Sequence, residues 1–296
     1  MADIASGSAS SGLFTRLAPA LFVVLWSSGF IVARLVAPHS DPLTFLVVRY
    51  ALVIAILAPF ALLIGAPWPK GRDFTNNAVS GFLLHGVYLG GIFWAVKHGL
   101  PAGFAGLFAG LQPLVTATLA GPLLGEAVSG RRWAGIGLGF VGAALVLLPK
   151  IGGHDAIPAQ ALIVGVLAVG AFTAGTIWQK RTGNSMDMRT GNVVQFTAAL
   201  LPTALVAALT ESGRFDMTPE LIAGLFWAVI GLSIGAITML LVMIKRGAVV
   251  QTTSLLYLVP AVTALMAWIG FGETMNVLQI GGMVLAAAGV FLANQK

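Results

Sequence analysis

The 296-residue chain has no cysteine and few charges: 16 Lys and Arg and 10 Asp and Glu make up 9% of it. The lack of cysteine excludes disulfides and thiolate metal sites. Soluble domains carry about 25% charged residues, whereas this chain is 58% apolar. It is therefore predicted to be an integral membrane protein that contacts lipid. Its net charge of +6 then indicates basic loops at a membrane surface, with no nucleic-acid partner.

Acidic residues are missing from the middle of every apolar stretch. All ten lie in the termini, in loops or at the ends of spans: Asp3, Asp41, Asp73, Glu126, Asp155, Asp187, Glu211, Asp216, Glu220 and Glu273. Proton relays and sodium sites in membranes usually recruit a buried carboxylate. The sequence also shows no Walker loop, no metal-ligand cluster and no Ser-His-Asp set. These absences argue against an enzyme, an ATP-driven pump, catalytic residues, metals and cofactors.

Long apolar stretches, each near the ~20 residues that a membrane-spanning helix needs, dominate the rest. Ten spans are predicted, at 17–36, 43–65, 77–97, 102–124, 132–148, 159–178, 190–210, 221–243, 248–271 and 276–294. Residues 1–16 are small and polar and predict a disordered tail. The breaks between spans leave no room for a soluble domain.

The distribution of Lys and Arg predicts the orientation. With a cytoplasmic N-terminus, eleven face the cytoplasm: Arg16, Lys70, Arg72, Arg131, Arg132, Lys180, Arg181, Arg189, Lys245, Arg246 and Lys296. Four face the other side: Arg34, Lys97, Lys150 and Arg214. By the positive-inside rule, we expect both termini in the cytoplasm of a bacterial inner membrane.

The two halves of the chain resemble each other. GLQPLVTATLAGPLLGE at 110–126 aligns with YLVPAVTALMAWIGFGE at 257–273. The offset of 147 pairs Pro113 with Pro260, Thr116 with Thr263, Gly125 with Gly272 and Glu126 with Glu273. The chain is thus predicted to be two five-helix repeats, 17–150 and 159–294. Because five is odd, the repeats must enter the membrane in opposite orientations, which makes an all-α polytopic protein with an inverted repeat.

Pro113 and Pro260 interrupt predicted helices 4 and 9 at equivalent depth. Broken helices at matching positions point to a substrate site and to moving elements, so both prolines are predicted hinges. The alternative is a kink that only shapes packing. Glu126 and Glu273 close the same two helices and are predicted gate contacts, with capping of a following helix as the alternative.

These features resemble the drug/metabolite transporter superfamily and its EamA-type repeat, which carries Gly-Glu at the end of its fourth helix, as in Gly125-Glu126 and Gly272-Glu273. The stretch WSSGFIVARLV at 26–36 is similar to the opening helix of EamA-type exporters. Within the superfamily the chain looks most like the bacterial aromatic amino acid exporters (the YddG group). The resemblance implies a secondary transporter with a central cavity lined by helices 1–4 and 6–9.

Polar and aromatic residues inside spans are the candidates for substrate contact, because burying them in a membrane is costly. Arg49 is the fixed charge within a span; it could meet a substrate carboxylate or extend to the nearer interface. The predicted substrate-binding residues are Trp26, His85, Tyr88, Gln112, Trp178 and Tyr257. Satisfied interhelical hydrogen bonds are the alternative for the polar ones.

We therefore expect an alternating-access exporter of small amphipathic metabolites, amino acids including aromatic ones, with no obligatory protein partner. The alternative on the same fold is a phosphorylated-sugar or nucleotide-sugar exchanger, which would need clustered cations in its cavity. A membrane enzyme would need carboxylates or metal ligands that are missing, and a channel would not need the repeat.

Overall fold

A computed structural model describes residues 6–124, 129–150, 156–182, 187–235, 239 and 258–294. They form ten helices in chain order. The helices are α1 (Ser6–Val36), α2 (Pro42–Leu63), α3 (Gly71–Lys97), α4 (Ala102–Leu124), α5 (Gly130–Leu147), α6 (Ala159–Thr182), α7 (Met188–Thr210), α8 (Pro219–Gly235), α9 (Val259–Phe271) and α10 (Val277–Asn294). The all-helical prediction is confirmed.

Five of these helices, α2, α3, α5, α6 and α7, are long and apolar enough to cross a membrane, and the described apolar parts of the other five are shorter. Their outer faces carry large apolar side chains: Leu63 is 87% exposed and Leu209 75%. Water would solvate such faces poorly, whereas lipid tails suit them. The chain is a multi-pass membrane protein.

Two expectations need correction. Helix α1 begins at Ser6, so part of the predicted disordered tail is helical; no proline occurs before Pro19 to stop the helix from extending upstream. Helix α4 continues through Pro113, and the predicted break is wrong there. A membrane helix tolerates proline when neighbouring groups satisfy the freed carbonyl. Pro260 lies in the first turn of α9, where its missing N–H costs nothing.

Glycines let helices α5 and α10 approach to backbone contact. A Cβ atom added to Gly142 would lie 2.3 Å from the backbone nitrogen of Ala286, and one added to Gly289 would lie 2.3 Å from that of Gly139. Only glycine fits at such distances. A face of small residues on α5, including Gly135 and Gly139, therefore packs against α10 of the same chain.

Helices α4 and α9 cross closely in the same way. A Cβ on Gly106 would meet the side chain of Thr263 at 2.6 Å, and one on Gly110 would meet Cγ of Pro260 at 2.3 Å. Thr263 is fully buried at this crossing. The crossing joins the two halves of the chain, since α4 belongs to the first and α9 to the second.

Helices α3 and α8 both contain a π-helical segment, Phe82–Leu89 in α3 and Trp227–Gly235 in α8. The two starts are 145 residues apart, close to the repeat offset of 147 found in the sequence. A π segment widens the turn and frees backbone groups, and such segments are frequent at functional sites. Both segments contribute to the cavity described next.

Candidate functional site: a central cavity

A cavity of about 330 Å³ lies between α1, α2, α3, α6, α7 and α8. Its wall is largely apolar and includes seven aromatic residues: Phe22, Trp26, Phe30, Tyr88, Phe93, Phe172 and Phe196. A small polar set interrupts this wall: Arg49, Asn77, His85, Gln179, Asp187, Asn192, Gln195 and Ser233. An apolar cavity with a few convergent polar groups is the usual form of a small-molecule site.

Arg49 is the residue with a fixed positive charge in the described lining of the cavity. It is 6% exposed, and its Nε and Nη2 donate to Oγ of Ser233 at 3.3 and 3.1 Å. The Ser233 hydroxyl donates in turn to the carbonyl of Ala228 at 2.9 Å, so its oxygen is free to accept from Arg49. Among the described residues no carboxylate pairs with Arg49. Burying an unpaired charge costs several kcal/mol, so this guanidinium suits an anion in the cavity.

A second set of polar side chains lies beside Arg49, on α2, α3 and α7. The Tyr50 hydroxyl donates to the backbone carbonyl of His85 at 2.6 Å, which satisfies an acceptor inside the π segment. The His85 ring stacks on Phe196 with centroids 4.4 Å apart, and within the described residues its Nδ1 has no hydrogen-bond partner. Beside it, the Gln195 amide donates to Oδ1 of Asn77 at 3.1 Å. These groups can form hydrogen bonds with a ligand without adding charge.

Aromatic rings from three helices form one continuous wall. Tyr88 of α3 stacks on Phe172 of α6, with centroids 4.5 Å apart and planes at 13°. Trp26 of α1 lies 6.2 Å from the same phenylalanine at 23°, and Phe22 lies 5.8 Å from Trp26. The wall offers flat apolar surface to a ring or a branched chain.

The cavity extends towards the end of the bundle where α6 ends and α7 begins, as its lining by Gln179, Asp187 and Met188 shows. Asp187 begins α7 and accepts from the backbone nitrogen of Arg189 at 2.9 Å and from its Nε at 2.8 Å. This pairing holds the pKa of Asp187 below its ordinary value of 3.8. A carboxylate already bound to a guanidinium in this way remains negatively charged at neutral pH.

The opposite end, called the closed end here, comprises the loops that join α1 to α2, α3 to α4, α7 to α8 and α9 to α10. Several polar contacts hold it together. The ammonium of Lys97 donates to the carbonyl of Ser40 at 3.1 Å. Asp41 accepts from the hydroxyl of Ser212 at 2.8 Å and from the backbone nitrogen of Arg214 at 3.0 Å. Burial would raise the pKa of Asp41, but these hydrogen bonds outweigh it and lower that pKa.

The structure brings four of the predicted residues to the cavity: Trp26, Arg49, His85 and Tyr88. Two others do not line it. The amide of Gln112 donates to Oγ1 of Thr116 at 2.9 Å, and Trp178 is 37% exposed on the outer face of α6. Tyr257 and Glu126 lie outside the described residues. The substrate-binding roles of all these residues stay predictions.

The predicted hinge and gate residues lie elsewhere. Pro260 packs on Gly110 at the α4–α9 crossing, and Pro113 is half-buried in α4. Glu273 lies at the closed end, where it binds the N-terminus of α4. Phe172 and Ser233 line the cavity although the sequence reasoning did not select them. Ser233 could have been found in the sequence as a hydroxyl group within an apolar span. Phe172 could not, because one phenylalanine does not stand out in so apolar a chain.

In the part of the chain that the structure describes, no three His, Asp or Glu side chains come close enough together to hold a metal ion.

Comparison with known proteins identifies the family. The model of the EamA-like transporter family matches residues 13–148 and again residues 159–295. The chain belongs to this family. The predicted resemblance to EamA-type members of the drug/metabolite transporter superfamily is confirmed. The matched unit therefore occurs twice in this chain.

Several relatives of this EamA-like chain carry transporter names. It is 28% identical to the "Probable terminal-alkyne amino-acid exporter" of Streptantibioticus cattleyicolor, over 93% of this chain and 92% of that protein. It is 26% identical to the "Uncharacterized inner membrane transporter YedA" of Escherichia coli K12, over 94% and 92%. It is 24% identical to the "Probable amino-acid metabolite efflux pump" of Salmonella typhimurium, over 92% of each. These names indicate transporters, not enzymes.

A solved structure aligns over 95% of this chain and 96% of its own, with a TM-score of 0.65 at 19% identity. At that identity the match shows a shared fold alone.

Proposed function

We propose that this EamA-like protein exports small amphipathic metabolites that carry a carboxylate, amino acids including aromatic ones, across a bacterial inner membrane. Two relatives with amino-acid exporter or efflux names support the substrate class. A third, named as an inner membrane transporter, supports the location.

The observation that carries the proposal is that no carboxylate among the described residues pairs with the buried guanidinium of Arg49. A buried charge without a counter-charge is costly, and a substrate carboxylate would remove that cost on binding. Guanidinium also binds carboxylates well, because its fork of N–H donors matches the two oxygens. Ser233 accepts hydrogen bonds from one side of the Arg49 guanidinium. This contact orients the remaining N–H donors of Arg49 before a ligand binds.

The aromatic wall supports the proposal that the substrates include aromatic amino acids. A substrate side chain that lies against Tyr88, Phe172 and Trp26 would lose water and gain aromatic contacts. An apolar wall discriminates weakly, at ~1–3 kcal/mol for a methylene-sized change. We therefore expect broad specificity for the side chain, with aromatic and branched groups favoured.

Alternating access is part of the proposal. The halves of the chain share the 147-residue offset, and the predicted inverted orientation of two five-span repeats is the arrangement that permits two related states. In keeping with this, the cavity reaches one end of the bundle while polar contacts join the loops at the closed end. With both termini cytoplasmic, as the basic residues predict, the cavity would face the cytoplasm, where an exporter collects its substrate.

The rival function, exchange of sugar phosphates or nucleotide-sugars, has less support. A phosphate with two negative charges favours several Lys or Arg side chains at one place. Within the described lining, Arg49 is the cation of the cavity, and Lys97 is bound to carbonyls at the closed end.

Transport in proteoliposomes tests the proposal. Labelled phenylalanine should be taken up by counterflow, and Arg49→Gln should lower uptake at limiting substrate at least ~10-fold, as expected for the loss of one charge-assisted pair. Arg72→Gln, which removes an exposed arginine at the start of α3, is the matched control and should transport normally. Sugar phosphates belong in the same assay. Uptake of sugar phosphates alone, or equal uptake by Arg49→Gln and the parent, would contradict the proposal.

A further inference from the structure

The cavity has an imbalance of charge that bears on which carboxylates it accepts. Its described lining holds one guanidinium, that of Arg49, and one carboxylate, that of Asp187 at the start of α7. Asp187 is already paired with Arg189 and also begins α7. Its charge is therefore compensated before any ligand binds.

The sequence places no carboxylate within the helices around the cavity beyond the first turns of α3 and α8. Asp and Glu are absent from 6–40, 42–72, 74–125, 156–186, 188–210 and 221–272. These ranges contain every residue of α1, α2, α6 and α7, and α3 and α8 apart from their first turns. They also contain the stretch between α8 and α9. Within the described lining, the charge of Arg49 is therefore the one that no carboxylate compensates.

A ligand with one negative charge neutralises such a site, whereas a zwitterion does not. The ammonium of a free amino acid would be buried near Arg49 with no carboxylate to meet it. It could be met only by neutral acceptors, such as the amide oxygen of Gln195 or the ring of His85. Neutral acceptors compensate a buried ammonium far less than a carboxylate does.

We propose that the cavity selects organic monocarboxylates whose amino group is absent or acylated, and that it binds these more tightly than the corresponding zwitterionic amino acids. The inference rests on the proposed function, because it concerns the same cavity and the same arginine. Among the carboxylates of the proposed function, it makes the preferred ligand an anion with a single carboxylate beside an aromatic or branched apolar group. The carboxylate binds Arg49, and the apolar group lies against Tyr88, Phe172 and Trp26.

Within the described residues the Nδ1 of His85 has no hydrogen-bond partner, which leaves it able to bind a neutral polar group of such a ligand. A neutral imidazole can donate to, or accept from, a hydroxyl, keto or amide group next to the carboxylate. A protonated imidazole beside Arg49 would double the charge of the site, so a neutral ring is the state compatible with the uncompensated arginine. A keto or acylamino group would use that nitrogen without adding charge.

The experiment compares ligands that share one phenyl ring and differ in charge. Hydrocinnamate and N-acetyl-phenylalanine are monoanions, phenylalanine is a zwitterion, and phenethylamine is a cation. Binding to the purified full-length protein in detergent is measured by competition against labelled hydrocinnamate, and against labelled phenylalanine in parallel. Uptake of all four is then measured in proteoliposomes.

The two monoanions should bind about tenfold or more tightly than phenylalanine, as expected for one uncompensated charge, and phenethylamine should bind least. Arg49→Gln should abolish this order, and Arg72→Gln should preserve it. Phenylalanine bound and transported as well as or better than the monoanions would overturn this inference and leave the proposed function standing. Failure of all four ligands to bind or to be transported would overturn both.

Discussion

Glu273 caps helix α4 from the other half of the chain, through Ala102. Its carboxylate oxygens accept hydrogen bonds from the backbone nitrogens of Ala102 at 3.1 Å and Gly103 at 3.2 Å. The Nε of Arg34 lies 3.7 Å from the same carboxylate. A negative charge at the first turn of a helix satisfies free N–H groups and interacts favourably with the helix dipole.

Glu211 does the same for helix α2. It accepts from the backbone nitrogens of Leu43 at 2.8 Å and Thr44 at 2.7 Å, and from the Thr44 hydroxyl at 2.8 Å. In both cases a carboxylate from the second half binds a helix N-terminus of the first half at the closed end. The two contacts therefore hold the halves together at this end of the bundle.

Glu273→Gln should loosen the closed end. Removing the charge weakens hydrogen bonds worth ~1.5–3 kcal/mol when one partner is ionised. Ala102 is fully buried, so a cysteine placed there in this cysteine-free chain should react slowly with a thiol reagent. We expect Ala102→Cys to react at least ~10-fold faster when combined with Glu273→Gln. Glu220→Gln, an exposed carboxylate at the start of α8, is the control. Equal rates in all three backgrounds would show that Glu273 does not hold this end closed.

Gly142→Ala should destabilise the protein, whereas Gly137→Ala should not. A Cβ at Gly142 would lie 2.3 Å from the backbone of α10, whereas one at Gly137 has nothing within 4 Å. We expect the first to lower the free energy of unfolding by ~1–3 kcal/mol or more through overpacking. The second should be neutral or stabilising by up to ~1 kcal/mol, because alanine favours helix. Thermal unfolding in detergent measures both, and equal melting temperatures would contradict the α5–α10 contact.

The Asp187–Arg189 pair predicts a dependence on pH. The pKa of Asp187 is lowered in the folded state by its pairing with Arg189, so its stabilising contribution is present above pH 3.8. That contribution is lost as the pH falls through the folded-state pKa. Asp187→Asn, which keeps a capping side chain, should lower the melting temperature only slightly at neutral pH, because the Arg189 side chain is 40% exposed and solvent screens the pair. The melting-temperature difference from the parent should vanish at pH well below 3.8. A difference that grows on acidification would refute the pairing.

The predicted orientation is open to direct labelling. Cysteines introduced singly at Ser8 and Gln295 should react with an impermeant reagent only after the membrane is opened, because eleven of the flanking Lys and Arg residues favour cytoplasmic termini. Labelling of either position in intact cells would refute that topology.

The residues that were predictable for the cavity share one property. Arg49, His85 and Tyr88 are polar groups within long apolar stretches, and their cost in lipid makes them stand out in a sequence. Gln112 satisfied the same criterion but bonds within its own helix to Thr116. A polar residue four positions away on the same helix offers that partner as readily as a cavity does, and the sequence does not distinguish the two.

Pro113 shows a second limit of prediction from the sequence. The penalty of proline inside a helix predicted a break, but α4 continues through it in close contact with α9 at Gly110. Local propensity was overridden by packing between helices distant in sequence. The π segments of α3 and α8 were likewise invisible, since they depend on contacts such as the Tyr50 hydroxyl on the carbonyl of His85.

The sequence by itself determined the membrane class, the ten helices, the repeat offset, the family and the one guanidinium well inside a span, because composition, span length and register are properties of the chain alone. Only the tertiary structure decided which side chains share a cavity, that Ser233 rather than a carboxylate meets Arg49, and that Glu273 caps α4. These relationships depend on how each helix is rotated about its axis, and that rotation is set by packing between the two halves.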